Sequence, residues 1–142
     1  MPVSPLDHTA DAGIEVRAAG LDELFADAAV GLCAAITDPA GVALREELEV
    51  AVVAADLERL MVEWLEELLF RFDVERLLPA RSEVTVEELP AGGWRLRGRV
   101  RGERFDAARH PLAVAVKAIT YHGLSVARAP GGGWRATVIF DI

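Results

Sequence analysis

The stretch Asp56-Leu57-Glu58-Arg59-Leu60-Met61-Val62-Glu63-Trp64-Leu65-Glu66-Glu67-Leu68-Leu69-Phe70-Arg71-Phe72 decides the fold. Leu57, Leu60, Met61, Trp64, Leu65, Leu68, Leu69 and Phe72 recur at helical spacing. This predicts an amphipathic helix with Asp56 as its N-cap and Glu63, Glu66 and Glu67 on the wet side. Downstream the chain reads almost entirely as strands. They are broken by Leu89-Pro90-Ala91-Gly92-Gly93 and Ala129-Pro130-Gly131-Gly132-Gly133, both expected to be hairpin loops. Upstream, Ile14 and Val16 alternate with Glu15 and Arg17, the period of a half-buried strand. Gly20 then opens a second helix, with Leu21, Leu24, Phe25, Ala28, Ala29, Leu32 and Ile36 on its apolar side and Asp22 and Glu23 in its first turn. Thr37-Asp38-Pro39 ends that helix, and a strand follows around Glu47 to Ala54. No linker, low-complexity tract or repeat period stands out. The expected class is α+β: two helices packed on one face of a largely antiparallel sheet, a mixed one left open, in a single domain over residues 1–142.

With 142 residues, 52% of them hydrophobic and 27% charged, the chain can build one substantial core. The first residues show no basic start followed by an apolar run, and no stretch approaches a membrane span, so a soluble, cytoplasmic protein without membrane association is expected. Cys33 is the only cysteine, which excludes an internal disulfide and a cysteine-based zinc site; core packing accounts for it. A net charge of −8 argues against a protein whose main task is to grip nucleic acid, because that binding draws on neutralised phosphates. The role of an acidic, soluble partner to another protein suits the chain better. Lys117 is the only lysine among 15 basic residues.

Chemistry concentrates at the two ends. The last strand places Trp134, Ala136, Val138, Phe140 and Ile142 on one side and Arg135, Thr137, Ile139 and Asp141 on the other. If the final side chain packs into the core, the carboxylates of Asp141 and Ile142 are held in place; the plain alternative is a solvated end. Near the other terminus, Asp7-His8-Thr9-Ala10-Asp11 offers two more carboxylates just ahead of the first alternating strand. Their convergence with the C-terminus would suit a hard Mg²⁺ or Ca²⁺ ion, although Asp7 and Asp11 also read as turn and capping residues. His8 suits a proton or hydrogen-bond partner better than a ligand. His110 precedes Pro111 in an extended or turn dipeptide, a loop position. Lys117 leaves the face on which Val114 and Val116 pack, so a solvated lysine and a functional point charge both stay open. Arg95, Arg97, Arg99 and Arg101 project from one face of a strand and resemble an RNA-binding stripe. Glu83, Thr85 and Glu87 stand in register across the hairpin, however, and cross-strand ion pairs explain the pattern without RNA.

Asp7-His8-Thr9-Ala10-Asp11, Leu21-Asp22-Glu23-Leu24-Phe25, Thr37-Asp38, His110-Pro111, Val116-Lys117-Ala118-Ile119-Thr120-Tyr121-His122 and the terminal Phe140-Asp141-Ile142 together resemble the archease family, in order and over the whole chain. The resemblance implies a non-enzymatic protein cofactor of an RtcB-type RNA ligase in tRNA splicing or RNA repair. Such a protein promotes guanylation of the ligase, which uses GTP, and supports multiple turnover. The resemblance also implies metal ligands at Asp11, Asp141 and the Ile142 carboxylate. Asp7, His8, Asp38, His110, Lys117 and Tyr121 are candidate functional or partner-contact positions. Gly20 departs from the family, standing where a Thr helix cap is common. Two readings compete: a metal-dependent phosphoester hydrolase or cyclase, against which the lack of a phosphate loop or a poised nucleophile speaks, and a chaperone-like modulator of RNA-modifying enzymes.

Overall fold

A computed structural model describes residues 3–5 and 12–142. The elements follow the order β1 (Val3–Pro5), β2 (Ala12–Ala18), α1 (Leu21–Ile36), a short 3-10 turn (Pro39–Gly41), β3 (Glu46–Ala54), α2 (Leu57–Glu75), β4 (Arg81–Glu88), β5 (Trp94–Gly102), β6 (Ala118–Arg128) and β7 (Trp134–Asp141). The fold is α+β, with two helices and antiparallel strand pairing throughout the described residues.

The strands form two sheets rather than the single sheet expected. One has the order β1-β2-β7-β6, the other β3-β5-β4, and each helix touches both. Alternation tells which side of a strand is apolar but carries no information about its neighbour. The division falls at Gly102, where a Cβ would overlap the Leu78 carbonyl oxygen. There the chain leaves β5 and crosses by an irregular segment to Ala118.

The sheets repeat one plan. In each, a strand leads into a helix and then pairs with the second strand of a hairpin: β2 and α1 with β6–β7, β3 and α2 with β4–β5. Ala18 partners Trp134 as Ala54 partners Trp94. The loop glycines Gly133 and Gly93, both at positive φ, lie over the carbonyls of Ala18 and Ala54. Ala18-Ala19-Gly20-Leu21-Asp22-Glu23-Leu24 matches Ala54-Ala55-Asp56-Leu57-Glu58-Arg59-Leu60 in kind. The second unit is nested inside the first, so no tandem period arises to betray it.

Both helices bury the expected faces. Leu60, Met61, Trp64, Leu65, Leu68, Leu69 and Phe72 of α2 are buried, as are Leu24, Phe25, Ala28, Ala29, Leu32, Cys33 and Ile36 of α1. Burial pushes the Cys33 thiol up to about 12, helped by the negative charge of Asp38, so it stays protonated and inert. Asp56 accepts a hydrogen bond from the Arg59 N–H at 2.8 Å, whereas Gly20 gives α1 no side-chain cap. Trp64 locks the two helices together by donating from Nε1 to the Phe25 carbonyl at 2.8 Å.

Candidate functional site at the C-terminal strand

Strand β7 runs between β2 and β6. Ala136, Val138 and Phe140 are fully buried, which fixes the strand into the core beside α1. Ile139, expected on the outer side, is also buried, beside Gly13 and Gly123. A Cβ at Gly13 would lie 2.6 Å from the Val138 carbonyl oxygen, so that glycine is demanded by close strand approach. The last side chain differs from expectation: Ile142 is 39% exposed and does not seal the end. What holds the end is Phe140 together with a hydrogen bond from the Lys117 N–H to the Asp141 carbonyl at 2.7 Å. The Asp141 residue itself is exposed.

Asp7, His8 and Asp11 lie outside the described residues. Among the described residues, no group of three or more His, Cys, Asp or Glu is placed to hold a metal ion. The donor chemistry available at β7 nevertheless suits a hard cation. The Asp141 carboxylate takes no ion-pair partner among the described residues, and Asp141 and Ile142 carry only oxygen donors. Ala12 partners Phe140 across β2 and β7. In sequence, Asp11 directly precedes Ala12 and Asp141 directly follows Phe140.

The other candidates separate into four places. Lys117 is exposed at the start of β6, where Ala118 partners Asp141, so it joins the C-terminal end. Tyr121, 59% exposed, sits in an irregularity between Thr120 and Ser125, where β6 carries extra residues that β7 does not match. Asp38 caps the 3-10 turn by accepting from the Ala40 N–H at 3.0 Å. His110 lies in a loop as expected, but it is buried and therefore faces no partner directly.

His110 belongs to a knot that the sequence did not disclose. Its Nδ1 accepts from the Asp106 N–H at 2.9 Å, so Nε2 carries the hydrogen and donates to Glu103 Oε2 at 3.0 Å. Glu103, buried, also accepts from Arg109 at 2.6 Å and from the Ala43 N–H at 2.7 Å. The Arg109 bond first, then the Ala43 and His110 bonds, outweigh desolvation and hold the Glu103 carboxyl down at about 2. The knot fastens the segment leading to Lys117 onto the chain after α1, aided by the Ala113 N–H donating to the Ile36 carbonyl at 2.8 Å. Only the Gly102 kink could have signalled it, because an unbroken alternation would leave Glu103 on the wet face beside Arg101.

The arginine stripe lies on the central strand β5. Arg99 faces Glu83 on one side and Glu49 on the other; Arg101 faces Glu47; Arg95 faces Glu87. Arg95 and Arg101 donate to Glu87 and Glu47 at 2.8 and 3.0 Å. Acidic residues from both neighbours thus answer the stripe, and each exposed pair contributes roughly 0–1 kcal/mol. Arg97 stands between Thr85 and Ala51 without an ion pair among the described residues.

The profile of the Archease protein family matches residues 4–142. The chain belongs to the archease family. Among its relatives, the protein archease of Methanopyrus kandleri is 40% identical over 143 residues, covering 100% of both chains. That of Pyrococcus furiosus is 38% identical over 136 residues, covering 96% of this chain and 95% of the relative. The solution structure of protein 1598 from Methanobacterium thermoautotrophicum superimposes with a TM-score of 0.82 at 30% identity, covering 99% of each chain. Archease membership supports a role as a protein cofactor in RNA processing. No helix among the described residues is long and apolar enough to cross a membrane.

Proposed function

We propose that this protein is the activating partner of an RtcB-type RNA ligase in tRNA splicing or RNA repair. It promotes GTP-dependent guanylation and repeated turnover of that ligase and performs no ligation itself. The observation that carries this reading is the family match over nearly the whole chain. A divalent cation, Mg²⁺ or Ca²⁺, would be held by Asp11, Asp141 and the Ile142 carboxylate. Three crowded carboxylates repel one another unless a cation offsets their charge. The pairing of Ala12 with Phe140, the sequence neighbours of Asp11 and Asp141, supports this set. At the ligase, such an ion would offset charge on the transferring phosphate. The protein's own residues would hold the Asp141 ligand in place: Phe140 anchors the strand and the Lys117 N–H bonds the Asp141 carbonyl.

The test combines a ligase guanylation assay with calorimetric titration of Mg²⁺ and Ca²⁺, using wild type, Asp11→Ala, Asp141→Ala and a form extended beyond Ile142. The extension turns a charged carboxylate into a neutral amide. Metal affinity and activation should both fall in all three altered forms, while circular dichroism stays unchanged. Full activation by the extended form would remove the metal assignment. Turnover of phosphate-ended RNA by the protein alone would instead favour the hydrolase or cyclase reading.

A further inference from the structure

The outward side of α2 is not the uniform charged face its inward stripe leads one to expect. Phe70 and Val74, one turn apart, are 56% and 63% exposed. Glu63, Glu66 and Asp73 surround them at helical spacing. Isolated exposed apolar side chains are ordinary, but two on adjacent turns beside an apolar-floored groove are not. That groove, about 200 Å³, lies between α2 and the start of β6; Glu66, Phe70, Asp73 and Lys117 line it, with Leu69 and Ile119.

The charges point to the occupant. Arg71 pairs with both Glu67 and Glu75, at 2.8 and 2.9 Å, and leaves one negative charge over. Glu63, Glu66 and Asp73 take part in no ion pair among the described residues. Partial burial, and then the charge of Glu63, raise the Glu66 pKa, the condition a cationic partner group would relieve. RNA would meet like charge here. A second copy would bring acidic stripe against acidic stripe in a two-fold contact. An enzyme that holds RNA must present basic surface, so it complements this face.

We infer that the α2 stripe of Glu63, Glu66, Phe70, Asp73 and Val74 is a docking surface for a basic protein face with an apolar hollow, on the RNA ligase. This rests on the activator reading and names the surface by which it acts. Docking here is coupled to the C-terminal end: the groove's other wall is Lys117 and Ala118, and Ala118 partners Asp141 in the adjacent strand, about 5 Å away.

The experiment measures binding of the full chain to its purified cognate ligase by interferometry at low and high salt, beside guanylation and light scattering. The proteins are wild type, Phe70→Ser/Val74→Ser and Glu63→Lys/Asp73→Lys. The apolar pair should weaken binding on the order of tenfold or more, as loss of an aromatic anchor does. The charge pair should slow association and flatten its salt dependence. All these side chains are solvent-facing, so melting temperatures should match wild type. If wild type binds and stimulates but both variants bind equally well, the docking surface is refuted and the activator reading stands. A wild-type dimer that the apolar pair dissolves would assign the face to a second copy and overturn the inference. Failure of wild type to stimulate the ligase would remove the activator reading itself.

Discussion

Comparing Phe140→Ala with Ile142→Ala in urea unfolding locates what pins the C-terminal strand. Phe140 is fully buried and lies in the ladder between Ala12 and Ile119. Truncating a buried Phe to Ala costs roughly 3–5 kcal/mol, transfer and cavity together. That is a large share of the ~5–15 kcal/mol that stabilises a typical domain. Ile142 is 39% exposed. Full burial of an Ile side chain is worth about 1.5–3 kcal/mol. Partial burial, less the Cβ that Ala retains, therefore leaves a loss of roughly 1 kcal/mol. The midpoint should fall several times further for Phe140→Ala at an unchanged denaturant slope. Hydrogen exchange adds a local readout, because the Lys117 N–H bonded to the Asp141 carbonyl reports whether the strand end stays docked. Its protection should survive Ile142→Ala and drop in Phe140→Ala. Equal losses in the two variants, or a larger loss for Ile142→Ala, would show that the final side chain is the anchor and refute the reasoning.

Three further outcomes test the fold and its charged knot. A Cβ at Gly98 would stand 2.8 Å from Trp64 Cη2, and Trp64 is tied to Phe25, so Gly98→Ala should destabilise by about 1–3 kcal/mol; an unshifted urea midpoint would mean Trp64 yields freely. Glu103 is depressed from 4.5 to about 2, so its stabilising effect is complete above pH 4.5 and fades as pH falls towards 2. The melting-temperature gap between wild type and Glu103→Gln should therefore be constant near neutrality and close over that acid window; a gap that persists at pH 2 contradicts the assignment. Gly20 has no side-chain cap and nothing within 4 Å of a built Cβ, so Gly20→Asp should stabilise α1 by about a few tenths of a kcal/mol in thermal melts, and a loss would contradict the capping argument.

Much of the fold was legible because burial imposes a period. The α2 stripe, the Asp56 cap, both glycine loops and the Arg95–Glu87 and Arg99–Glu83 register follow from local pattern and turn chemistry. Which strands neighbour one another was not legible. The second acidic flank, from Glu47 and Glu49 on β3, comes from a pairing across α2 that no local signal encodes. The candidate site was legible only in part. Asp141 stands at the end of the last strand as its pattern indicates, but the hydrogen bond from the Lys117 N–H to its carbonyl follows from a strand pairing that no local signal encodes. His110 reads as a surface loop residue because Pro111 marks a turn, yet tertiary contacts draw it inside against Glu103. Phe70 and Val74 sit on a helix face that pattern alone assigns to polar groups.

The nested repeat of one plan gives a physical reason for where the candidate functional residues gather. Two units that share one plan must bury equivalent positions, and they do: Ala18 with Trp134 matches Ala54 with Trp94, and each hairpin closes with a glycine over a carbonyl. Residues that serve the fold alone should therefore look alike in both. The β4–β5 ladder runs unbroken from Arg81 to Glu88, and Arg95, Arg99 and Arg101 of β5 meet carboxylates of its neighbours. Its counterpart β6–β7 breaks register between Thr120 and Ser125, exposes Tyr121, and ends on Asp141 with no ion-pair partner among the described residues. Beside that break lie Lys117 and the α2 groove. The equivalence fails along one edge, and the candidate metal ligand, the register break and the unpaired acidic stripe all border it. The register break also packs Gly123 against buried Ile139, but the fold needs neither the exposed Tyr121 nor the unpaired carboxylates, so on the proposed function altering those should reduce activation at little cost to folding.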